Sequence, residues 1–87
     1  MPQVFIPSQL RDLTGGAAQV EAAGGTVLEV IQSLDRQFPG VLARLCPDGK
    51  LAAGLQVSID HTMTSRGLRA TLAPASELHF LPVIGGG

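Results

Sequence analysis

The sequence predicts an α+β domain in which one main helix crosses one face of a mixed sheet of four to five strands. Apolar residues recur with a helical period between positions 26 and 38, whereas they alternate with polar residues between positions 55 and 59. The most apolar strand-like segments are the first and the last. We therefore expect the first and last strands to lie side by side at the sheet centre, which a right-handed crossover through the helix allows.

The N-terminal part of the chain has the signals of a β-hairpin. The segment from Gln3 to Pro7 is short, apolar and partly β-branched, which favours a strand that ends at Pro7. Gly15-Gly16 is a turn signal, and Ala17 to Ala22 follows as a weak second strand. We expect this second strand to pair back on the first.

The clearest predicted element is a helix that begins at Thr26. Thr26 is a good N-cap, and Glu29 three residues later completes a capping box. Pro39-Gly40 ends the helix. Its apolar face follows the i, i+3, i+4, i+7, i+11 spacing and consists of Val27, Val30, Ile31, Leu34 and Phe38.

The C-terminal half is predicted to add two strands and some shorter elements. Val41 to Leu45 is a short turn of helix, and a turn follows it. Leu55 to Ile59 alternates as a half-buried strand does, residues 68–72 form a weaker apolar element, and Leu78 to Val83 is the last strand. This order is that of the β-grasp, or ubiquitin-like, fold. We place the β-grasp domain at residues 1–84 and a flexible C-terminal glycine tail at residues 85–87.

Composition limits what this small domain can do. Its 87 residues carry a formal net charge of −1, with no Trp, no Tyr and no basic run, which argues against nucleic-acid binding. No apolar stretch reaches the roughly 20 residues that a membrane span needs, and the start has no signal-peptide pattern. A single cysteine excludes an internal disulfide and fits a reducing compartment. We therefore expect a cytoplasmic protein that binds neither nucleic acid nor membrane.

The sequence shows no catalytic site of its own. His61 and His79 have no cysteine or carboxylate at metal-ligand spacing, so no metal site is predicted. Cys46 has no histidine near it in sequence, which favours a semi-buried thiol over a nucleophile. The glycine pairs lack the spacing of a phosphate-binding loop. We therefore expect no bound cofactor, and a carrier or co-substrate of partner enzymes rather than an enzyme.

The last three residues are Gly85-Gly86-Gly87, and such a run contributes little to a folded core. Glycine adds no packing and loses the most conformational entropy when it is ordered. A segment without β-carbons can, however, thread a narrow channel and present its terminal carboxylate to another enzyme. The carboxyl group of Gly87 is therefore the predicted chemical centre, with a frayed end or a cloning scar as the alternative.

Three segments of the chain resemble the ThiS/MoaD family of ubiquitin-like sulfur carriers, and the similarity covers essentially the whole chain. They are residues 9–13 (QLRDL), residues 25–31 (GTVLEVI) and residues 80–87 (FLPVIGGG). Family members typically end in hydrophobic-Pro, three residues and Gly-Gly, which places Gly87 at the reactive glycine. Gly85 stands where many members have alanine, and in the alternative register Gly87 would first be trimmed. Residues 39–51 look most like the CysO-type carriers of cysteine biosynthesis.

The resemblance implies a chemistry for Gly87. A ubiquitin-activating-type adenylyltransferase would bind the carrier and use ATP and Mg to adenylate the Gly87 carboxylate. A persulfide on a sulfurtransferase, or sulfide itself, would displace AMP and leave a thiocarboxylate (1-thioglycine) at Gly87. The tail of Gly85, Gly86 and Gly87 would then enter a sulfur-accepting synthase, for the biosynthesis of cysteine, molybdopterin or thiamine thiazole.

The predicted alternation of the strands also defines a surface that a partner could hold. If Val4 packs under the helix, then Phe5, His79 and Leu81 share the open face of the sheet. Together with Pro82, beside the exit of the tail, they form the predicted partner-docking patch. The alternative is that a loop of the same chain covers Phe5.

Two other functions remain open at this point. A ubiquitin-like protein modifier would use the same activation of Gly87 to form isopeptide bonds with lysines of target proteins. A plain β-grasp interaction domain would make no use of the glycines, and it would keep its function when Gly86 and Gly87 are deleted.

Overall fold

The computed structural model describes residues 1–82, and the predictions on the 85–87 tail and on the domain boundary at 84 lie outside this part. Two short 3-10 helices lie at Ser8–Leu10 and Gly67–Arg69. No helix within residues 1–82 has the length and apolar character needed to cross a membrane. The strands and α-helices are β1 (Gln3–Phe5), β2 (Gln19–Glu21), α1 (Val27–Gln37), α2 (Val41–Leu45), β3 (Leu55–Ile59), β4 (Thr62–Thr64) and β5 (Glu77–Pro82).

The five strands form one mixed sheet in the order β2-β1-β5-β3-β4. β1 and β5 run parallel, with Val4 opposite Leu78 and Phe5 opposite His79. The other neighbouring strands are antiparallel. The predicted hairpin of the first two strands is confirmed, and so is the predicted adjacency of the first and last strands.

Helix α1 begins as its sequence predicts. The hydroxyl oxygen of Thr26 accepts a hydrogen bond from the Glu29 N–H at 3.2 Å, and the Glu29 carboxylate accepts one from the Gly25 N–H at 2.8 Å. The first bond pairs a donor that the helix itself cannot satisfy. The second reaches Gly25, one residue before the N-cap, whereas a standard capping box pairs the N–H of the N-cap residue. The helix ends at Gln37, shortly before Pro39.

The apolar face of α1 packs against the inner face of the sheet. Val30, Ile31 and Leu34 are fully buried and belong to one cluster with Val4 and Leu78. Each such side chain contributes roughly 1.5–3 kcal/mol relative to full exposure. Phe38, which the helical spacing also assigns to this face, is only partly buried at the edge of the cluster. One helix therefore covers one side of the sheet and leaves the other side open.

Strand β4 is the element that the sequence did not indicate. It follows β3 through a tight turn in which Asp60 and His61 both have positive φ, 51° and 70°. A two-residue turn of this kind usually carries Asn-Gly or Asp-Gly, so Asp-His gives a weak signal. Residues 68–72, predicted as a short apolar element, contain part of the 3-10 helix and an isolated bridge from Thr71 to Thr26.

Candidate functional site

The open face of the sheet is built by the odd-numbered residues of β1 and β5. Val4 and Leu78 are fully buried under the helix, and Phe80 is 4% exposed. Their neighbours Phe5 and His79 are half-buried, and Leu81 is 38% exposed. The structure therefore places Phe5, His79 and Leu81 on one face, as the alternation predicts.

The rings of Phe5 and His79 stack on each other across the parallel pair of strands. Their centroids are 4.1 Å apart and their planes differ by 7°. This contact follows from the register, which sets Phe5 directly opposite His79. A neighbouring strand, by contributing His79, therefore shields part of the Phe5 ring. Both side chains are half-buried, so part of the stacked pair remains exposed on the open face.

The aromatic pair continues toward the β3–β4 turn. The imidazole of His61 lies 6.0 Å from that of His79, and its Nε2 atom lies 3.7 Å from a carboxylate oxygen of Glu77. The His61 side chain is highly exposed, so this contact with Glu77 contributes little to stability. His61 is a turn residue, as the sequence indicates, but it borders the open face.

Side-chain hydrogen bonds hold this turn in place. The Asp60 carboxylate accepts hydrogen bonds from the Glu77 N–H at 2.9 Å and from the Ser76 hydroxyl at 3.1 Å. The Ser76 oxygen in turn accepts a hydrogen bond from the Ala73 N–H at 2.9 Å. These contacts tie the β3–β4 turn to the start of β5. A partner would therefore meet a surface whose parts are already positioned.

Met63 is a member of the open face that the sequence reasoning missed. It lies opposite Ser58 in the β3–β4 pair and is 48% exposed. Gln56 lies opposite Leu81 in the neighbouring pair, so the face extends from Leu81 toward Met63. The alternation of Thr62, Met63 and Thr64 is a signal that could have indicated this strand.

The open face leads to the end of β5. Leu55 pairs with Pro82, the last residue whose backbone the structure describes. The side chain of Pro82 and the predicted reactive residue Gly87, with Gly85 and Gly86, lie outside the described residues. Four residues lie between Pro82 and Gly87, so Gly87 is the fifth residue after Pro82. An extended chain of that length reaches at most about 17 Å.

The His, Cys, Asp and Glu side chains of residues 1–82 are the groups that could hold a metal ion or act as a nucleophile. Among them, no group of three His, Cys, Asp or Glu side chains is placed to hold a metal ion. Cys46 is buried at 6% exposure, and desolvation by burial raises the pKa of its thiol. Its thiolate is therefore scarce at neutral pH. The arrangement as a whole offers a binding surface.

The fold and the open face together define a ubiquitin-like β-grasp domain, and its sequence specifies the family further. Residues 4–87 match the model of the ThiS family. The chain is 34% identical to the sulfur carrier protein CysO of Mycobacterium tuberculosis over 89 aligned positions, covering 97% of this chain and 96% of that protein. The chain belongs to the ThiS family.

Solved structures agree with this assignment. The crystal structure of M. tuberculosis CysO has a TM-score of 0.88 and 31% identity, covering 97% of this chain and all of that one. A chain in the crystal structure of the Amycolatopsis orientalis BexX/CysO complex has a TM-score of 0.89 and 37% identity, with full coverage of both chains. The small archaeal modifier protein 1 of Methanosarcina acetivorans shares the fold, with a TM-score of 0.79 and 22% identity.

Proposed function

We propose that this protein is a sulfur carrier that delivers sulfur as a C-terminal thiocarboxylate for cysteine biosynthesis. The observation that carries the proposal is the nearly full-length relationship to CysO sulfur carriers, at 34% identity in sequence and a TM-score of 0.88 in structure. The family match extends through Gly87, so it includes the Gly-Gly end as well as the folded domain. Residues 39–51, which resemble the CysO-type carriers, support the choice of pathway.

In this proposal the chain supplies one reacting group and partner enzymes supply the rest. The Gly87 carboxylate attacks the α-phosphorus of ATP, held with Mg on an adenylyltransferase, and pyrophosphate leaves. Sulfide then attacks the acyl carbon, AMP leaves, and a proton is released from the thioacid. A carboxylate is a poor electrophile, and the acyl-adenylate gives it a good leaving group. Where a sulfurtransferase persulfide is the sulfur source instead, its attack releases AMP and forms an acyl disulfide, and a thiol reductant must then cleave the S–S bond to release the thiocarboxylate. The protein is therefore a co-substrate rather than an enzyme.

The docking patch of Phe5, His79, Leu81 and Pro82 gives the partner a surface to hold while the tail reacts. The stacked pair of Phe5 and His79 offers an aromatic surface that loses little conformational entropy on binding. Leu81 adds an exposed apolar side chain one residue before the end of β5. A partner bound here lies beside the end of β5, and this favours insertion of Gly85 to Gly87 into its active site.

The protein-modifier alternative uses the same activated glycine but a different acceptor. Its structural support is likeness in fold to the archaeal modifier protein, at 22% identity, whereas the carriers are similar in both sequence and fold. We therefore favour sulfur transfer. An isopeptide product and a thiocarboxylate differ in mass, so one measurement separates the two functions.

Intact-protein mass spectrometry tests the proposal. The purified chain is incubated with the adenylyltransferase of its host, Mg-ATP and sulfide. We expect a product heavier than the free acid by the difference between one sulfur and one oxygen atom, with the added mass mapped to Gly87. Addition of the host's sulfur-accepting cysteine synthase with a serine derivative that carries a leaving group on its β-carbon should join the sulfur to that carbon and expel the leaving group. Hydrolysis of the resulting Gly87–cysteine adduct should then return the free acid and release cysteine. Conjugates to target proteins without any thiocarboxylate would instead establish the modifier.

A further inference from the structure

A surface pocket near the edge strand β4 plays no part in the tail chemistry described above. It has a volume of about 280 Å³ and lies between residues 49–51 and residues 65–69. Leu51 and Leu68, which pack against the core and remain partly exposed, form an apolar part of its lining. Lys50, Arg66 and Arg69 form its charged part.

The pocket concentrates positive charge on a protein that is slightly acidic overall. Lys50, Arg66 and Arg69 are three of the six cationic side chains of the chain, whose formal net charge is −1. No carboxylate lines the pocket, and the nearest acid in sequence, Asp48, lies outside its lining. Within residues 1–82, the ion pair that forms joins His61 to Glu77 and uses none of the three cations. They are available to an external anion.

The topology places this pocket at the end of the sheet where β5 ends. Both β4 and β5 are antiparallel to β3, so they run in the same direction. Thr64 lies opposite Val57, and the chain then continues through Ser65 and Arg66 toward the level of the Leu55–Pro82 pair. An enzyme that holds the chain at Pro82, where β5 ends, therefore lies near this pocket.

The pocket is also continuous with the open face. Ser65 lines both the pocket and a neighbouring cleft formed with Gln56, Met63 and Thr64. Gln56 lies opposite Leu81, and Met63 is exposed on the same face. A partner that covers Leu81 can therefore extend across Met63 and reach Arg66 without leaving the surface.

We propose that this pocket binds a segment of the adenylating partner in which an apolar side chain is flanked by carboxylates. The inference rests on the proposed function, since it names the surface that the same partner uses. An apolar side chain of the partner would pack against Leu51 and Leu68 and exclude water there. The three cations would attract the carboxylates on either side of that side chain. A free phosphate would gain nothing from the two leucines. The mixed lining therefore favours a protein segment over a small anion.

Charge reversal tests the pocket in the reconstituted adenylation reaction. The Arg66→Glu/Arg69→Glu variant is compared with the matched Arg36→Glu/Arg44→Glu variant, which changes the net charge equally on helices α1 and α2. The KM for the carrier and kcat are measured by pyrophosphate exchange at several salt concentrations. We expect the pocket variant to raise KM about tenfold at low salt, with kcat unchanged and a weaker dependence of KM on salt. The control should change KM less than about twofold.

The outcomes distinguish a failure of the proposed function from a failure of the proposed pocket. Loss of exchange with the wild-type chain itself would contradict the proposed function. Normal exchange with the wild type, and equal KM values for the two double variants, would overturn the pocket alone. Thermal unfolding of each variant checks that the domain is intact. A Lys50→Glu variant repeats the KM measurement at a pocket cation outside the 3-10 helix Gly67–Arg69. Saturable binding of inorganic phosphate at the pocket, without any effect of the variants on KM, would identify a small-anion site instead.

Discussion

At Gly24, a single added carbon would contact the backbone of helix α1. A β-carbon there would lie 2.7 Å from the Val30 nitrogen and 2.9 Å from the Glu29 carbonyl carbon, in the first turns of α1. We expect Gly24→Ala to destabilise the domain by about 1–3 kcal/mol, because the loop must move away from the helix. Urea unfolding followed by circular dichroism measures the change.

The adjacent glycine provides the control for this prediction. A β-carbon at Gly25 would approach only the Glu29 carboxylate, at 3.5 Å, which is an ordinary contact. Gly25→Ala should therefore change the free energy of unfolding by less than about 0.5 kcal/mol. Equal losses for the two variants would mean that close packing at Gly24 is not the cause. The sequence marks both glycines as a loop before α1, but only the packing distinguishes them.

Cys46 should react slowly with alkylating reagents while the domain is folded. Burial raises the pKa of its thiol, so the thiolate fraction at a given neutral or mildly alkaline pH is smaller than in the unfolded chain. We expect iodoacetamide to modify Cys46 more slowly in native buffer than in guanidinium chloride, as followed by mass spectrometry. Similar rates in the two solutions would show that the thiol is accessible and unshifted. A slow Cys46 also leaves a Gly87 thiocarboxylate as the preferred target of alkylation.

At the level of elements, helix α1 carries much of the core. Leu34 is fully buried and projects from the middle of the helix into the cluster beneath the sheet. Leu34→Ala should cost about 2–5 kcal/mol, because the packed surroundings cannot close the cavity. The control is Gln32→Ala on the exposed face of the same helix, which should be nearly neutral. A loss below about 1 kcal/mol for Leu34→Ala would contradict the assigned face.

The elements that could be predicted are those whose local signals agree with their packing. Thr26 and Glu29 define the start of α1 by local hydrogen bonds, and the apolar spacing defines its buried face. The adjacency of β1 and β5 was predicted from their apolar composition. Strand β4 was missed, because its local signal is limited to the alternation of three residues, 62–64. Its turn at Asp60 and His61 is held by contacts with Ser76 and Glu77 that are distant in sequence.

At the level of the whole molecule, the candidate site also has a part that the sequence predicts and a part that depends on contacts between distant residues. Strand alternation was enough to place Phe5, His79 and Leu81 on one face, because register follows from the buried partners Val4 and Leu78. The stacking of Phe5 on His79 could not be predicted, since it requires the exact register of two strands far apart in sequence. The pocket of Arg66 and Arg69 likewise depends on where a loop and a 3-10 helix meet.

Deletion of Gly87 should remove sulfur loading without unfolding the domain. The buried core residues lie between Val4 and Phe80 in the sequence. The deletion removes only Gly87, and with it the proposed reactive carboxylate. We expect no thiocarboxylate in the reconstituted reaction and a free energy of unfolding within about 0.5 kcal/mol of the full chain. A truncated chain that is still loaded, on Gly86, would favour the alternative register in which one glycine is extra.

The docking patch predicts a loss of recognition rather than of stability when Leu81 is changed. Leu81→Asp places a charge in the apolar contact proposed for the partner, and burying that charge without a counter-ion is costly. We expect KM for the carrier in the adenylation reaction to rise at least about tenfold, since a central apolar contact of this kind commonly carries 2 kcal/mol or more. Thermal unfolding should be unchanged, because Leu81 is already exposed. Gln32→Asp introduces the same charge on the helical side of the molecule and should leave KM unaltered. An unchanged KM for Leu81→Asp would show that the partner holds the domain elsewhere.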